Sequence, residues 1–170
     1  MKKLLMIVVA LCAAGSVYAN SIAAGTKELA LSGNLDPDSA FGTEFNLDLK
    51  LGYFVQDNIE VGGLLGIQDN DAYTTYGLGG FGEYNFDLES PVSPFAGAAL
   101  KYLAAEIDDG DDESAVVLTL YGGARYFVSP DVAIFGLAKF EQATEDVYVE
   151  DGDLEDTNIG IDIGLSVYIP

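Results

Sequence analysis

The sequence contains no histidine and no tryptophan, a single cysteine, and only 7 basic residues among 170. Without histidine, the chain lacks the commonest general base, the Ser-His nucleophile systems and the usual histidine metal sites. With 28 acidic residues the formal net charge is −21, which argues against nucleic acid as a partner because the phosphate contacts would be repulsive. The hydrophobic fraction of 49% is too high for a disordered acidic chain, so apolar and acidic residues must be segregated within one domain.

The N-terminal residues have the pattern of a cleavable export signal. Two lysines precede an apolar run over residues 4–14, which is too short to cross a bilayer as a helix, and Ala19 completes a cleavage site. A lipoprotein signal at Cys12 is the alternative, although a large leucine precedes that cysteine where a small residue is normal. We therefore predict a signal peptide over residues 1–19 and one domain over residues 20–170, which contains no cysteine and hence no disulfide.

The rest of the sequence alternates between apolar and polar residues with a period of two. In TEFNLDLKLGY (residues 43–53), for example, every second residue is apolar or aromatic. A strand separates two such faces completely, whereas a helix would mix them. The segments that alternate in this way are 26–33, 43–53, 58–67, 74–86, 94–105, 115–128, 131–142 and 158–169.

The connections between these eight segments alternate in length. Short breaks follow the second, fourth and sixth segments, and mostly longer, acidic breaks follow the first, third, fifth and seventh: 34–42, 68–73, 106–114 and 143–156. This layout is typical of an up-and-down barrel, in which an even strand number places both termini at the end with the short turns. We therefore predict an all-β fold, an eight-stranded antiparallel up-and-down transmembrane β-barrel.

The charged residues on the strands indicate which face is inside. Four of the five basic residues that follow the predicted signal peptide lie on the polar faces, where they suit a narrow interior in which opposite charges pair. The aliphatic rows opposite them suit contact with lipid, whereas a soluble, lipocalin-like carrier with the faces reversed is the alternative. The predicted interior ion-pair network comprises Lys50, Glu60, Glu83, Lys101, Arg125, Lys139, Glu141 and Asp162.

Aromatic residues cluster near the short-turn end of the predicted strands. Such a cluster is typical of the aromatic girdle that a membrane barrel places at the lipid–water interface. The residues predicted to form this girdle are Tyr53, Phe54, Tyr84, Phe86, Phe95, Tyr126, Phe127 and Tyr168.

Together with the predicted signal and the eight segments, three stretches carry a family resemblance: YGLGGFGEYNF (76–86), PFAGAALKY (94–102) and GLSVYI (164–169). The chain resembles the small outer-membrane β-barrel superfamily, which includes the OmpA-like transmembrane domain, OmpX and the opacity-type "porin family" proteins. The resemblance implies a location in the outer membrane of a Gram-negative bacterium, among its lipids and lipopolysaccharide. Such proteins usually end on an aromatic residue, whereas Ile169 and Pro170 stand here, which leaves Tyr168 as a candidate substitute.

The function predicted from these features is non-enzymatic and either structural or surface-interacting, in a monomer without a cofactor. Enzymes on the resembled architecture use a catalytic histidine, which this chain lacks. A narrow channel for small solutes on the same fold is the alternative. The acidic loops supply oxygen ligands for weak Ca²⁺ or Mg²⁺ binding, although neither loop has EF-hand spacing and a solvated charge run is the simpler interpretation. The candidate cation ligands are Asp108, Asp109, Asp111, Asp112, Asp151 and Asp153.

Overall fold

The computed structural model describes residues 22–39, 42–69, 73–88, 90–107, 113–145, 148–150 and 153–170. Among these residues, no helix is long and apolar enough to cross a bilayer. The described residues form ten strands, which are β1 (Lys27–Ser39), β2 (Gly42–Gln56), β3 (Ile59–Asp69), β4 (Tyr73–Asn85), β5 (Val92–Ile107), β6 (Glu113–Ser129), β7 (Val132–Ala143), β8 (Tyr148–Glu150), β9 (Asp153–Glu155) and β10 (Thr157–Ile169).

Eight of the strands close into an antiparallel barrel in the order β1-β10-β7-β6-β5-β4-β3-β2, which confirms the predicted fold class. The last strand closes it, because β10 pairs with β7 on one side and with β1 on the other, with Ile169 opposite Lys27. The short strands β8 and β9 form a separate hairpin between β7 and β10. Closure pairs the backbone groups of all eight strands, so the barrel has no open sheet edge.

Several strands extend further than the alternating apolar residues predict. The predicted loop 34–42 is largely strand, since β1 continues to Ser39 and β2 begins at Gly42. The hairpin of β8 and β9 likewise lies within the predicted loop 143–156. Backbone pairing continues where neither face needs to be apolar, so the period-two signal ends before the strand does. The ladder is irregular between Asp36 and Ser39, a stretch that includes a proline without a backbone donor.

The aliphatic rows lie on the outside of the barrel. The most exposed large apolar side chains are Ile159, Ile161 and Ile163 on β10, at 80%, 71% and 70% of their free surface. Between them in sequence, Asp162 is buried inside at 3% exposure. A soluble carrier would need the reverse arrangement, so the lipocalin-like alternative is wrong.

The predicted aromatic girdle is only partly correct. Tyr53, Tyr84 and Phe86 are exposed on the outer surface, as a girdle requires, and Tyr126 is half-buried. Adjacent residues of a strand point to opposite faces, so an aromatic residue next to an outward one must enter the lumen. The buried aromatic residues wrongly predicted for the girdle are Phe54, Phe95, Phe127 and Tyr168.

The position of Tyr168 also shows whether it can substitute for the aromatic residue that usually ends the last strand of the resembled proteins. Its ring lies inside the barrel, tilted against the rings of Phe54 and Phe127 at centroid distances of 6.3 and 5.4 Å. The last outward side chain is therefore Ile169, which is 53% exposed. Tyr168 consequently does not present an aromatic surface to lipid at the end of the last strand.

Candidate functional site: the charged barrel interior

The polar side chains of the lumen form two groups of ion pairs at different heights. We define the turn-side cluster as Glu28, Lys50, Glu60, Glu83 and Arg125. We define the loop-side cluster as Lys101, Lys139, Glu141 and Asp162. Each cluster draws its members from several strands, so the ion pairs connect strands of the barrel wall on its inner face.

The ammonium group of Lys50 is the centre of the turn-side cluster. Its Nζ lies 2.7 Å from Glu28 Oε2, 2.9 Å from Glu60 Oε2 and 3.0 Å from Glu83 Oε2. These three carboxylates come from β1, β3 and β4, and the lysine from β2. One ammonium therefore holds four neighbouring strands of the wall together.

Arg125 brings a second cation to the same carboxylates from the opposite wall. Its Nη2 lies 2.6 Å from Glu83 Oε1 and 3.5 Å from Glu28 Oε1, and its Nη1 donates to Asn85 Oδ1. The guanidinium carbon also lies 4.1 Å from the ring centroid of Phe95. A planar guanidinium suits this combination of carboxylate, amide and aromatic partners better than an ammonium would. Arg125 is only 1% exposed, and while its two Nη groups have partners, its buried Nε has no hydrogen-bond partner among the described atoms.

The turn-side cluster contains one more carboxylate than cations. Three glutamates face Lys50 and Arg125, and Glu60 is fully buried, with its Oε1 lacking a hydrogen-bond partner among the described atoms. A buried polar atom in this condition destabilises the fold. The backbone opposite is Gly52, where a Cβ would overlap the Glu60 carboxylate. The glycine therefore supplies the space into which this glutamate packs.

The loop-side cluster is smaller and better supplied with neutral hydrogen bonds. Lys101 Nζ lies 2.6 Å from Glu141 Oε1, and Lys139 Nζ lies 3.0 Å from Asp162 Oδ2. The Thr119 hydroxyl also donates to Glu141 Oε1 at 3.1 Å. This neutral hydroxyl supplies a hydrogen bond to a carboxylate whose acceptor sites a single lysine does not saturate.

A cavity of about 70 Å³ lies between the two clusters. Lys50, Glu83 and Arg125 line it from one cluster, and Lys101 and Asp162 are among the residues that line it from the other. A space of this size holds a few water molecules and no organic ligand of ordinary size.

The structure places all eight predicted interior residues in these ion pairs, divided between two clusters rather than joined in one network. Sequence reasoning missed Glu28, a central member of the turn-side cluster. The signal was available, because Glu28 directly precedes Leu29 and therefore lies on the face opposite Leu29 and Leu31.

The predicted cation ligands of the loops are not brought together by the described part of the chain. Asp108, Asp109, Asp111, Asp112 and Asp151 lie outside the described residues. Of Asp153, only the backbone is described, in β9. Among the described residues, no group of three candidate ligands could hold a metal ion.

The chain is similar to one known protein family and to several solved structures. A family model described as "Outer membrane protein beta-barrel domain" matches residues 5–167. Neisserial surface protein A (NspA) is 21% identical, with a TM-score of 0.64 over 85% of this chain and 97% of that one. The N-terminal barrel of Pseudomonas aeruginosa OprF is 14% identical, with a TM-score of 0.64 over 87% and 100%. A de novo designed transmembrane β-barrel is 16% identical, with a TM-score of 0.53 over 88% and 100%.

At these identities the solved structures show a shared fold and nothing further. A search of curated protein sequences gave no significant match. The family match nevertheless confirms the resemblance that the sequence motifs indicate, since it spans almost the whole chain.

Proposed function

Because the chain belongs to the outer membrane protein β-barrel domain family, we propose that it is a non-enzymatic integral membrane protein with a structural or surface-interacting role. Its location is the outer membrane of a Gram-negative bacterium. The observation that carries the proposal is the filled interior: both clusters consist of buried, paired charges that cross-link the wall. Such an interior stabilises a barrel and offers little room for a substrate.

The burial of the interior charges supports the absence of enzymatic activity. A general acid or base must come within hydrogen-bond reach of a reacting group. Glu60 and Arg125 are at most 1% exposed, and Glu83 is 5% exposed. A lipid or peptide substrate could reach these groups only if the ion pairs and the wall around them opened.

The outer surface and the loops determine the proposed partners. The aliphatic rows would contact the acyl chains of outer-membrane lipid and lipopolysaccharide. The acidic loops would associate with the anionic lipopolysaccharide through bridging Ca²⁺ or Mg²⁺ ions, because carboxylate oxygens are the ligands that these ions prefer. A closed barrel has no free strand edge for pairing with another chain, which supports a monomer.

A lipid mass-spectrometry assay tests the proposed lack of activity. Purified, folded protein is incubated in vesicles that contain lipopolysaccharide and phospholipid, and lipid spectra are recorded over time. The Arg125→Met variant, which disrupts the interior charges, serves as the matched control. We expect the lipid spectra to stay unchanged over time with both proteins. A product that accumulates with the native protein and not with the variant would contradict the proposal.

The alternative function, a narrow channel for small solutes, is favoured by one observation. The cavity between the clusters is lined by charged side chains from both of them and is large enough for water, so it could form part of a water file. Planar-bilayer recording of the purified protein distinguishes the two functions. The structural role predicts no conductance steps above baseline, whereas reproducible steps that change in size on Lys101→Met substitution would establish the channel.

A further inference from the structure

We propose that residues 22–26 form a detachable strap that closes the turn-side mouth of the barrel. The strap precedes β1 and lies outside the barrel ladder. It has no counterpart among the features predicted from the sequence. The inference concerns access to the interior, so it holds for a structural barrel and for a conducting one alike.

Backbone hydrogen bonds fix the path of the strap across the turn between β2 and β3. Asn58 donates its backbone N–H to the Ile22 carbonyl at 2.9 Å and accepts the Ile22 N–H on its side-chain Oδ1 at 3.1 Å. Ala24 donates to Asp57 Oδ1 at 2.8 Å, and Gly25 donates to the Phe54 carbonyl at 2.8 Å. Asn58 adopts a left-handed conformation, with φ of 64°, that asparagine tolerates better than most residues.

The side chain of Ile22 fills the mouth of the lumen. It is 6% exposed and packs in one buried cluster with Phe54, Phe127, Ala133 and Tyr168. These four residues come from β2, β6, β7 and β10, so the cluster that includes the isoleucine joins strands from both halves of the wall. An aliphatic side chain among three aromatic rings forms an apolar layer across the turn-side end.

This apolar layer lies directly against the turn-side cluster. The Tyr168 hydroxyl donates to Glu28 Oε1 at 2.9 Å, and the other oxygen of Glu28 contacts Lys50. The strap therefore contributes to the exclusion of water from the ion pairs at the turn-side end, where the low dielectric strengthens them.

Three features allow the strap to leave without disturbing the barrel. Besides its hydrogen bonds, the strap has one buried apolar side chain, that of Ile22, because Ala23 and Ala24 are exposed. Thr26 is also buried, and its carbonyl accepts the Phe54 N–H at 2.9 Å, so it forms the fixed base from which the preceding residues open. Gly25 has a φ of 93° and open space around it, so it can serve as a hinge. The ladder of β1 begins at Lys27, which pairs with Tyr53 and Ile169 independently of the strap. Segments held in this way open locally at a free energy well below that of global unfolding.

Amide hydrogen exchange of the full-length processed protein in lipid nanodiscs tests the proposal. The variant Ile22→Ser removes the apolar anchor, and Ala23→Ser makes the same change at the adjacent exposed position. In Ile22→Ser, we expect the amides of Asn58 and Gly25 to exchange roughly ten to a hundred times faster, as the loss of one buried aliphatic side chain implies. Ala23→Ser should exchange as the native protein does, and the amide of Leu118 in the ladder should be unchanged in both variants.

Two results would overturn the detachable strap. One is that the Asn58 and Gly25 amides exchange at the same rate in Ile22→Ser as in the native protein, which would mean that Ile22 does not hold the segment. The other is that Ile22→Ser accelerates Leu118 in the same proportion, which would make residues 22–26 part of the barrel's cooperative unit.

Discussion

Replacement of Arg125 by methionine removes one of the two cations in the turn-side cluster and nearly preserves the apolar length of the side chain. Glu83 then loses a contact of 2.6 Å, Glu28 loses a weaker one of 3.5 Å, and the Asn85 amide oxygen loses a donor. Three buried carboxylates remain around the single ammonium of Lys50.

The expected loss of stability is large because the partners stay buried. Removing one member of a buried ion pair costs about 3–5 kcal/mol, since it leaves a charge without compensation. Loss of the contact with the Phe95 ring, at 4.1 Å, adds roughly 1 kcal/mol. We therefore expect Arg125→Met to lower the free energy of unfolding by about 4–6 kcal/mol.

Reversible urea unfolding in phospholipid vesicles, followed by heat-modifiable mobility on gels, measures this difference. Lys27→Met is the matched control, because Lys27 is exposed at the start of β1, and it should change stability by less than about 0.5 kcal/mol. The double variant Arg125→Met/Glu83→Gln should recover part of the loss, since one of the uncompensated charges is gone. A loss below about 1 kcal/mol in Arg125→Met would refute the claim that the interior ion pairs hold the wall together.

The remaining predictions use the same unfolding assay. Glu60→Gln should leave stability unchanged or raise it, because the substitution removes the surplus negative charge of the turn-side cluster. Glu83→Gln should cost about 2 kcal/mol, because Glu83 contacts both Lys50 and Arg125. Equal losses in the two variants would contradict the charge count. Gly52→Ala should cost about 1–3 kcal/mol, because the added Cβ meets the Glu60 carboxylate, whereas Gly82→Ala should be neutral, because the space around Gly82 is open. A larger loss for Gly82→Ala than for Gly52→Ala would mean that the strand face assigned to the lumen is the outer one. Ile161→Lys should cost about 2–4 kcal/mol if that position lies near the bilayer midplane, and no effect would show that Ile161 does not face lipid.

The strands and their faces could be predicted because apolar and polar residues alternate with a period of two wherever one face of a strand contacts lipid. Ile159, Ile161 and Ile163 are outside and Asp162 inside, as the alternation indicates. The strand ends could not be predicted in this way, because polar residues pair equally well beyond the bilayer, as in the extension of β1 to Ser39. The aromatic character of a residue alone does not place it in the girdle, because its position in the alternation decides its face, as for the buried Phe54.

The pairing inside the lumen required information that one strand does not contain. Alternation shows that Lys50 and Glu83 face inward, but only the register and tilt of several strands bring them to the same height. Lys101 on β5 and Glu141 on β7 meet over the intervening β6 for the same reason, although they are 40 residues apart in sequence. The strap could not be predicted either, since Ile22 is a single apolar residue before the first alternating segment and belongs to no pattern.

The central claim is that the aliphatic rows face lipid and the charged rows face the lumen. The most direct test uses spin labels, attached one at a time to cysteines at positions 161, 162 and 163 of β10. The accessibility of each label is measured from its relaxation by oxygen, which enters lipid, and by a nickel chelate, which stays in water. We predict high oxygen and low nickel accessibility for the labels that replace Ile161 and Ile163, and a sharp fall in oxygen accessibility for the label that replaces Asp162. Equal oxygen accessibility at all three positions, or its maximum at position 162, would contradict the account.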